Sequence, residues 1–205
     1  MSFLAIKDVH HTYFTKASAT TALSEITLQV EEGEFVSFLG PSGCGKTTLL
    51  SIIAGLIKPT HGTILLENKP LSGLKNQIGY MLQQDYLFPW KTIEENILLG
   101  LKLSQQLNDE TKLAALDLLK QMGLSGIEKQ LPKQLSGGMR QRAALVRTLA
   151  TEPKLLMLDE PFSALDYQTK LKLEDLVSRT LDVFGKTAIL VTHDIGEAIA
   201  MSDRV

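Results

Sequence analysis

A short apolar run, Phe35–Leu39, leads directly into Gly40-Pro41-Ser42-Gly43-Cys44-Gly45-Lys46-Thr47, and a leucine-rich stretch starts at once behind it. The run matches the phosphate-loop pattern G-x-x-x-x-G-K-[ST] in full, in the strand–loop–helix context its mechanism needs. This feature constrains the fold more than any other, because the loop works only when a sheet edge and a helix N-terminus hold it open. The glycines let the backbone wrap around phosphates with several N–H groups pointing inward. The helix that begins at Lys46, followed by Thr47 and Thr48, aims its positive end at the same anion. Lys46 is placed to reach the β and γ phosphates of a nucleoside triphosphate, and the Thr47 hydroxyl to reach Mg²⁺. A glycine turn that binds nothing is the bland alternative, and the flanking strand and helix count against it. Cys44 occupies a variable position, where a redox role competes with the simpler reading of a small residue that fits.

The 205 residues suffice for one α/β domain with a small appended subdomain, and 44% hydrophobic residues supply a core. Net charge is −2 without a run of Lys or Arg, which argues against nucleic acid or anionic lipid as the main partner. One cysteine rules out an intramolecular disulfide framework and fits a reducing compartment. The first residues lack a basic segment followed by a sustained apolar one, so no signal peptide is expected. The best apolar run, Leu49 to Ile57, is far too short for a membrane span. A soluble chain is expected, which would serve a membrane process only by docking on a separate protein.

Strand patterns fall at Thr27–Val30, Phe35–Leu39, Thr63–Leu66, Ile78–Leu82, Leu155–Leu158 and Ala188–Val191. Fully apolar strands flanked by helical patterns predict a mainly parallel sheet covered on both faces. A helix is predicted from Lys46 to Ile57, with Pro59 ending it. Another follows Thr192-His193-Asp194 through Ala200. Between Thr92 and Arg147 strand signals are scarce, and Asp109 to Met122 carries Leu113, Leu116, Leu119 and Met122 on one face with Gly123 as its cap. This predicts a helical insertion: residues 91–150 form a helical subdomain, and residues 1–90 with 151–205 form the nucleotide-binding core.

Two further motifs carry chemistry. In Leu135-Ser136-Gly137-Gly138-Met139-Arg140-Gln141, Ser136 can cap a helix that starts with the glycines. Its free N–H groups, hydroxyl and dipole make a second anion site in the same polypeptide. An ordinary capped helix, Gly137 to Ala150, is compatible with that. The buried strand Leu155–Leu158 ends in Asp159-Glu160, and a carboxylate there suits general-base duty near a γ-phosphate.

Phosphate loop, Ser-Gly-Gly motif and acid pair, in this order over essentially the whole chain, resemble the ATP-binding-cassette (ABC) family of ATPases. The resemblance implies an α/β P-loop NTPase fold with an N-terminal antiparallel β portion and an inserted helical subdomain. It also implies a head-to-tail homodimer that sandwiches two ATP molecules. Ser136, Gly137, Gly138 and Gln141 would meet the γ-phosphate bound to the opposite copy, and Asp166 would help wall that site. By the same resemblance, Asp159 holds Mg²⁺ through water with Thr47 and Gln83, and Glu160 orients or deprotonates the attacking water. Gln83 links nucleotide to helical subdomain, His193 senses the γ-phosphate, and Tyr13 stacks on adenine. Each has a plainer alternative: core packing for Tyr13, with His11 and Phe14 as neighbours, a surface amide for Gln83, a helix cap for Asp166, a satisfied polar residue for His193. Relatives usually continue past Met201-Ser202-Asp203-Arg204-Val205, where the pattern of a new strand starts, so truncation at the C-terminus is expected.

The run Gln83-Gln84-Asp85-Tyr86-Leu87-Phe88-Pro89-Trp90-Lys91-Thr92 resembles the ATPase subunits of bacterial importers for nitrate, sulfonates, taurine and related solutes. In those subunits this region receives a helix of the membrane permease. Leu87, Phe88 and Trp90 are candidate anchors, with a core cluster as the alternative. The resemblance thus implies a transmembrane permease, an external solute-binding protein and a place on the cytoplasmic face of the membrane. Rival readings are an exporter ATPase, a soluble cassette acting on DNA or ribosomes, and a regulatory module without turnover. The absence of long heptads, the single cassette, and intact Lys46, Asp159, Glu160 and His193 count against the last two.

Overall fold

The computed structural model describes residues 2–205 except 17, 72, 73, 75, 76 and 164, together with all side chains but those at 180 and 182–184. Two four-stranded sheets organise the chain. In the first, β1 (Leu4–Phe14) pairs antiparallel with β2 (Ala19–Val30) and with β4 (His61–Leu66), and β5 (Lys69–Pro70) extends the edge. The second is parallel throughout, in the order β3 (Phe35–Leu39), β8 (Thr187–Thr192), β7 (Leu155–Asp159), β6 (Ile78–Met81). Ser37 N–H also donates to the Arg204 carbonyl at 2.8 Å, in a parallel bridge on the outer side of β3.

The parallel strands are apolar because both faces are covered, and their side chains alternate between two cores. Leu155, Met157, Ile189 and Val191 face the antiparallel sheet and α1 (Lys46–Ile53). Leu156, Leu158, Ala188 and Leu190 face the helical layer. That layer contains α2 (Ile93–Ile97), α3 (Leu99–Leu103), α4 (Asp109–Gln121), a 3₁₀ turn at Pro132–Gln134 and α5 (Gly137–Leu149). After β7 come α6 (Tyr167–Phe184) and, behind β8, α7 (Ile195–Met201). Among the described residues no helix is long and apolar enough to cross a membrane.

Several expectations need correction. β1 carries Lys7, Asp8, His10, His11 and Thr12, and its register shifts twice around Val9, so no clean alternation marks it in the sequence. The strand expected at Thr63–Leu66 begins at His61 and lies in the antiparallel sheet. The helix expected to run to Ile57 ends at Ile53, because Gly55 takes a left-handed turn (φ 68°) and donates to the Ile52 carbonyl well before Pro59. On α4 the apolar face is rotated from the expected one: Ala115, Leu119 and Met122 are buried, whereas Leu113 is 67% exposed. The long α6 went unmarked, since charged residues interrupt its apolar positions.

Candidate active site

All four parallel strands run the same way, and their C-terminal ends meet along one edge. In open α/β sheets ligands bind at that edge. β3 delivers the glycine loop, β6 precedes Gln83, β7 ends in Asp159 before Glu160, and β8 precedes His193. A cleft of about 560 Å³, within the usual range for a nucleotide-sized ligand, is lined by residues 42–48, Tyr13, Gln83, Glu160 and Val191. Thr20, Thr21 and Ala22 of β2 complete its wall, and no motif in the sequence flagged them.

The loop geometry depends on its glycines. Gly43 and Gly45 have φ 84° and 100°, and a Cβ on Gly45 would lie 2.5 Å from the Ala22 carbonyl oxygen. The Lys46 ammonium curls back over the loop, donating to the carbonyls of Gly40 (2.7 Å) and Pro41 (2.8 Å) beside the Cys44 sulfur at 3.6 Å. The Cys44 thiol is exposed. Tyr13 stands as one wall: its ring packs edge-on against His11 at 4.5 Å and its hydroxyl meets the Thr48 hydroxyl at 3.3 Å. His11 is buried, and Phe14 points to solvent.

The acid pair divides by environment. Asp159 is 2% exposed. Burial pushes its carboxyl above the usual range, opposed by the Thr47 hydroxyl that hydrogen-bonds it. Neighbouring Tyr80 is pushed up to about 12 by burial. Glu160 turns outward. One carboxylate oxygen accepts from the Gln83 amide at 3.0 Å, and the other lies 3.3 Å from His193 Nδ1. Its backbone is left-handed (φ 49°), a geometry that costs a non-glycine residue on the order of 1–3 kcal/mol and needs external support. The support is visible: Glu160 N–H donates to Val191, while its carbonyl accepts from the Ser163 hydroxyl at 3.0 Å and the Gln141 amide at 3.3 Å.

Thr47 and Gln83 line the cleft and Asp159 lies buried against Thr47, an all-oxygen set whose chemistry fits Mg²⁺. Mg²⁺ keeps several waters and substrate oxygens, so few protein ligands are needed. Among the described residues no group of three or more His, Cys, Asp or Glu surrounds a metal position.

The other expected residues lie apart. Ser136 is exposed and caps α5 by accepting from Met139 N–H at 3.3 Å. Ser136, Gly137 and Gly138 are not among the walls of the cleft. Gln141 departs from its expected surface contact: it is 4% exposed and its amide supports Glu160 within the same chain. Asp166 caps α6 through Thr169 N–H at 3.0 Å, and hydrogen bonds from Thr169 hold its carboxyl below the usual range. In the loop between them, residue 164 lies outside the described residues. The aromatic segment also splits: Leu87 is core, whereas Phe88 and Trp90 are exposed and pack edge-on at 5.4 Å. Buried Asn96, unmarked in the sequence, fixes that segment by accepting from Phe88 N–H and donating to the carbonyls of Phe88, Lys91 and Thr92. Arg140 and Arg147 of α5 bind Asp85 and the carbonyls of Asp85 and Tyr86.

Residues 23–163 match the model of the ABC transporter family. The chain is 65% identical over its full length to an uncharacterized ABC transporter ATP-binding protein, YtlC, of Bacillus subtilis strain 168, covering 79% of that protein. It is 48% identical over 91% of its length to the aliphatic sulfonates import ATP-binding protein SsuB 1 of Rhodococcus jostii strain RHA1, covering 72% of it. Its fold is similar to the dimeric post-hydrolysis structure of the ATP-binding cassette MJ0796 bound to ADP and Pi, with a TM-score of 0.90 and 36% identity, covering 97% of this chain and 91% of that one.

Proposed function

Because this chain belongs to the ABC transporter family and is an ATPase, we propose that it powers an importer by hydrolysing ATP between two head-to-tail copies of itself. The observation that carries this reading is the clasp on Glu160, held by Gln83 on one side and His193 on the other at the mouth of the phosphate-loop cleft. In the proposed reaction, water attacks the γ-phosphorus and gives its proton to the Glu160 carboxylate. The bond from that phosphorus to the β–γ bridging oxygen breaks, and its electron pair leaves with ADP. Lys46 gives up its loop carbonyls for the β and γ phosphates. Gln83 and His193 keep Glu160 aimed, and Tyr13 receives the adenine ring. Thr47 and Asp159, with Gln83, would hold Mg²⁺, which when bound neutralises phosphate charge.

Ser136, Gly137 and Gly138 lie away from the chain's own cleft, which supports giving them to the nucleotide of a second copy. The exposed Phe88–Trp90 pair, clamped to α5, suits a permease helix as partner. Relatives named for sulfonate import support a small sulfonate-like anion as cargo. On this reading the chain sits at the cytoplasmic face of the membrane through its permease, with an external solute-binding protein in the same system.

Glu160→Gln is the test. Turnover, measured as phosphate release, should fall at least about a hundredfold. ATP binding should persist, and with ATP and Mg²⁺ the variant should run as a dimer in light scattering. Undiminished turnover would remove Glu160 from the reaction.

A further inference from the structure

Lys170, in the first turn of α6, is 16% exposed at its side chain and surrounded by three carboxylates. Its ammonium pairs with Asp194 Oδ2, lies 2.7 Å from Glu197 Oε1 and 3.8 Å from Glu174 Oε1. Glu197 and Glu174 are 6% and 7% exposed. One cation against three anions, two of them buried, is a poor device for stability, because desolvation consumes most of the Coulombic gain. The placement of its partners gives it another meaning.

Two of the three partners, Glu197 and Asp194, lead to His193. Glu197 accepts from the Thr192 hydroxyl, which in turn accepts from Asp194 N–H at 3.0 Å. Asp194 Oδ1 caps α7 through Gly196 N–H (2.7 Å) and Glu197 N–H (3.3 Å). The residues on both sides of His193 are therefore fixed by the lysine cluster. The imidazole itself is 61% exposed, so packing does not fix it. Lys170 is anchored at its other end as well, where its N–H donates to the Asp166 carbonyl at 2.9 Å. A cavity of about 160 Å³ joins the two regions, lined by Glu160, Ser163, Lys170, Thr192, His193 and Glu197 among others.

We propose that Lys170 is a positioning residue for hydrolysis. It ties the loop from Glu160 to Asp166 to the loop bearing His193, so that the second copy's approach at one sets the imidazole at the other. The inference rests on the functional reading of Glu160 and His193 given above.

The test compares the parent chain with Lys170→Met, Lys170→Arg, Lys170→Met/Glu197→Gln and His193→Ala, following ATP turnover and thermal melting. Lys170→Met should lose kcat by roughly ten- to a hundredfold with KM for ATP little changed, and Lys170→Arg should restore most of it. The double variant removes one of the two buried carboxylates that Lys170→Met leaves without a cation, so it should melt above that single variant. Its kcat should stay as low as that of Lys170→Met, because the tie is still missing. Parent-level kcat in the double variant would overturn the proposal by showing that Lys170 matters only for folding. Parent-level kcat in His193→Ala would instead overturn the functional reading beneath it.

Discussion

At the scale of single residues, Asp159 and Glu160 are adjacent in sequence yet live in opposite environments. Asp159 is sealed under the cleft, and burial raises its carboxyl pKa. A carboxyl that holds its proton more tightly folded than unfolded costs stability once ionised. Between the unfolded value and the raised folded one, stability falls as pH rises, and the full penalty applies above the folded value. Asp159→Asn should therefore melt at a higher temperature than the parent at pH 7, while Mg²⁺-dependent ATP turnover is lost. A lower melting temperature at pH 7 would show that the Thr47 hydrogen bond outweighs the burial cost. Glu160 stores strain of a different kind, in a left-handed backbone that Val191, Ser163 and Gln141 hold in place. Both assignments follow from one motif, but the environments that separate the two roles are supplied by strands remote in sequence.

At the scale of elements, the segment between β6 and α2 is irregular backbone made rigid by one side chain. Asn96 is fully buried and satisfies the Phe88 amide and three carbonyls. Truncating it strands those groups, so Asn96→Ala should lower unfolding free energy in urea by about 1–3 kcal/mol. ATP binding, read with a fluorescent analogue, should persist, because the phosphate loop belongs to the other core. Loss of nucleotide affinity to match the loss of stability would mean that the two cores do not act separately. The same elements show why parts of the fold were legible and others not. β7 and β8 are buried on both faces, so their sequences are uninterrupted apolar runs. β1 and β2 have exposed polar positions and irregular register, and their pattern dissolves. On α4 the period gave the helix but not which leucines face inward, because the neighbours that decide it are on α5.

At the scale of the whole molecule, Trp90 is 71% exposed and packs edge-on against Phe88. An aromatic side chain of that kind is a typical interface anchor, worth about 2 kcal/mol or more when truncated. Trp90→Ala should leave melting temperature and ATP binding unchanged while reducing co-purification of the proposed permease. Full retention of a polytopic membrane partner would move the contact elsewhere. The chain's motifs by themselves determined the chemistry of phosphate binding, since a glycine loop and its helix are contiguous and their N–H groups act locally. They also determined the alternation that builds a parallel sheet. Only the tertiary structure decided which distant groups meet. Gln83, Glu160 and His193 come from three separate strand ends, Gln141 turns inward, and Lys170 reads in sequence as an ordinary surface lysine. Their partners are set by strand order and burial, which depend on contacts between residues far apart along the chain and leave no local periodicity to read.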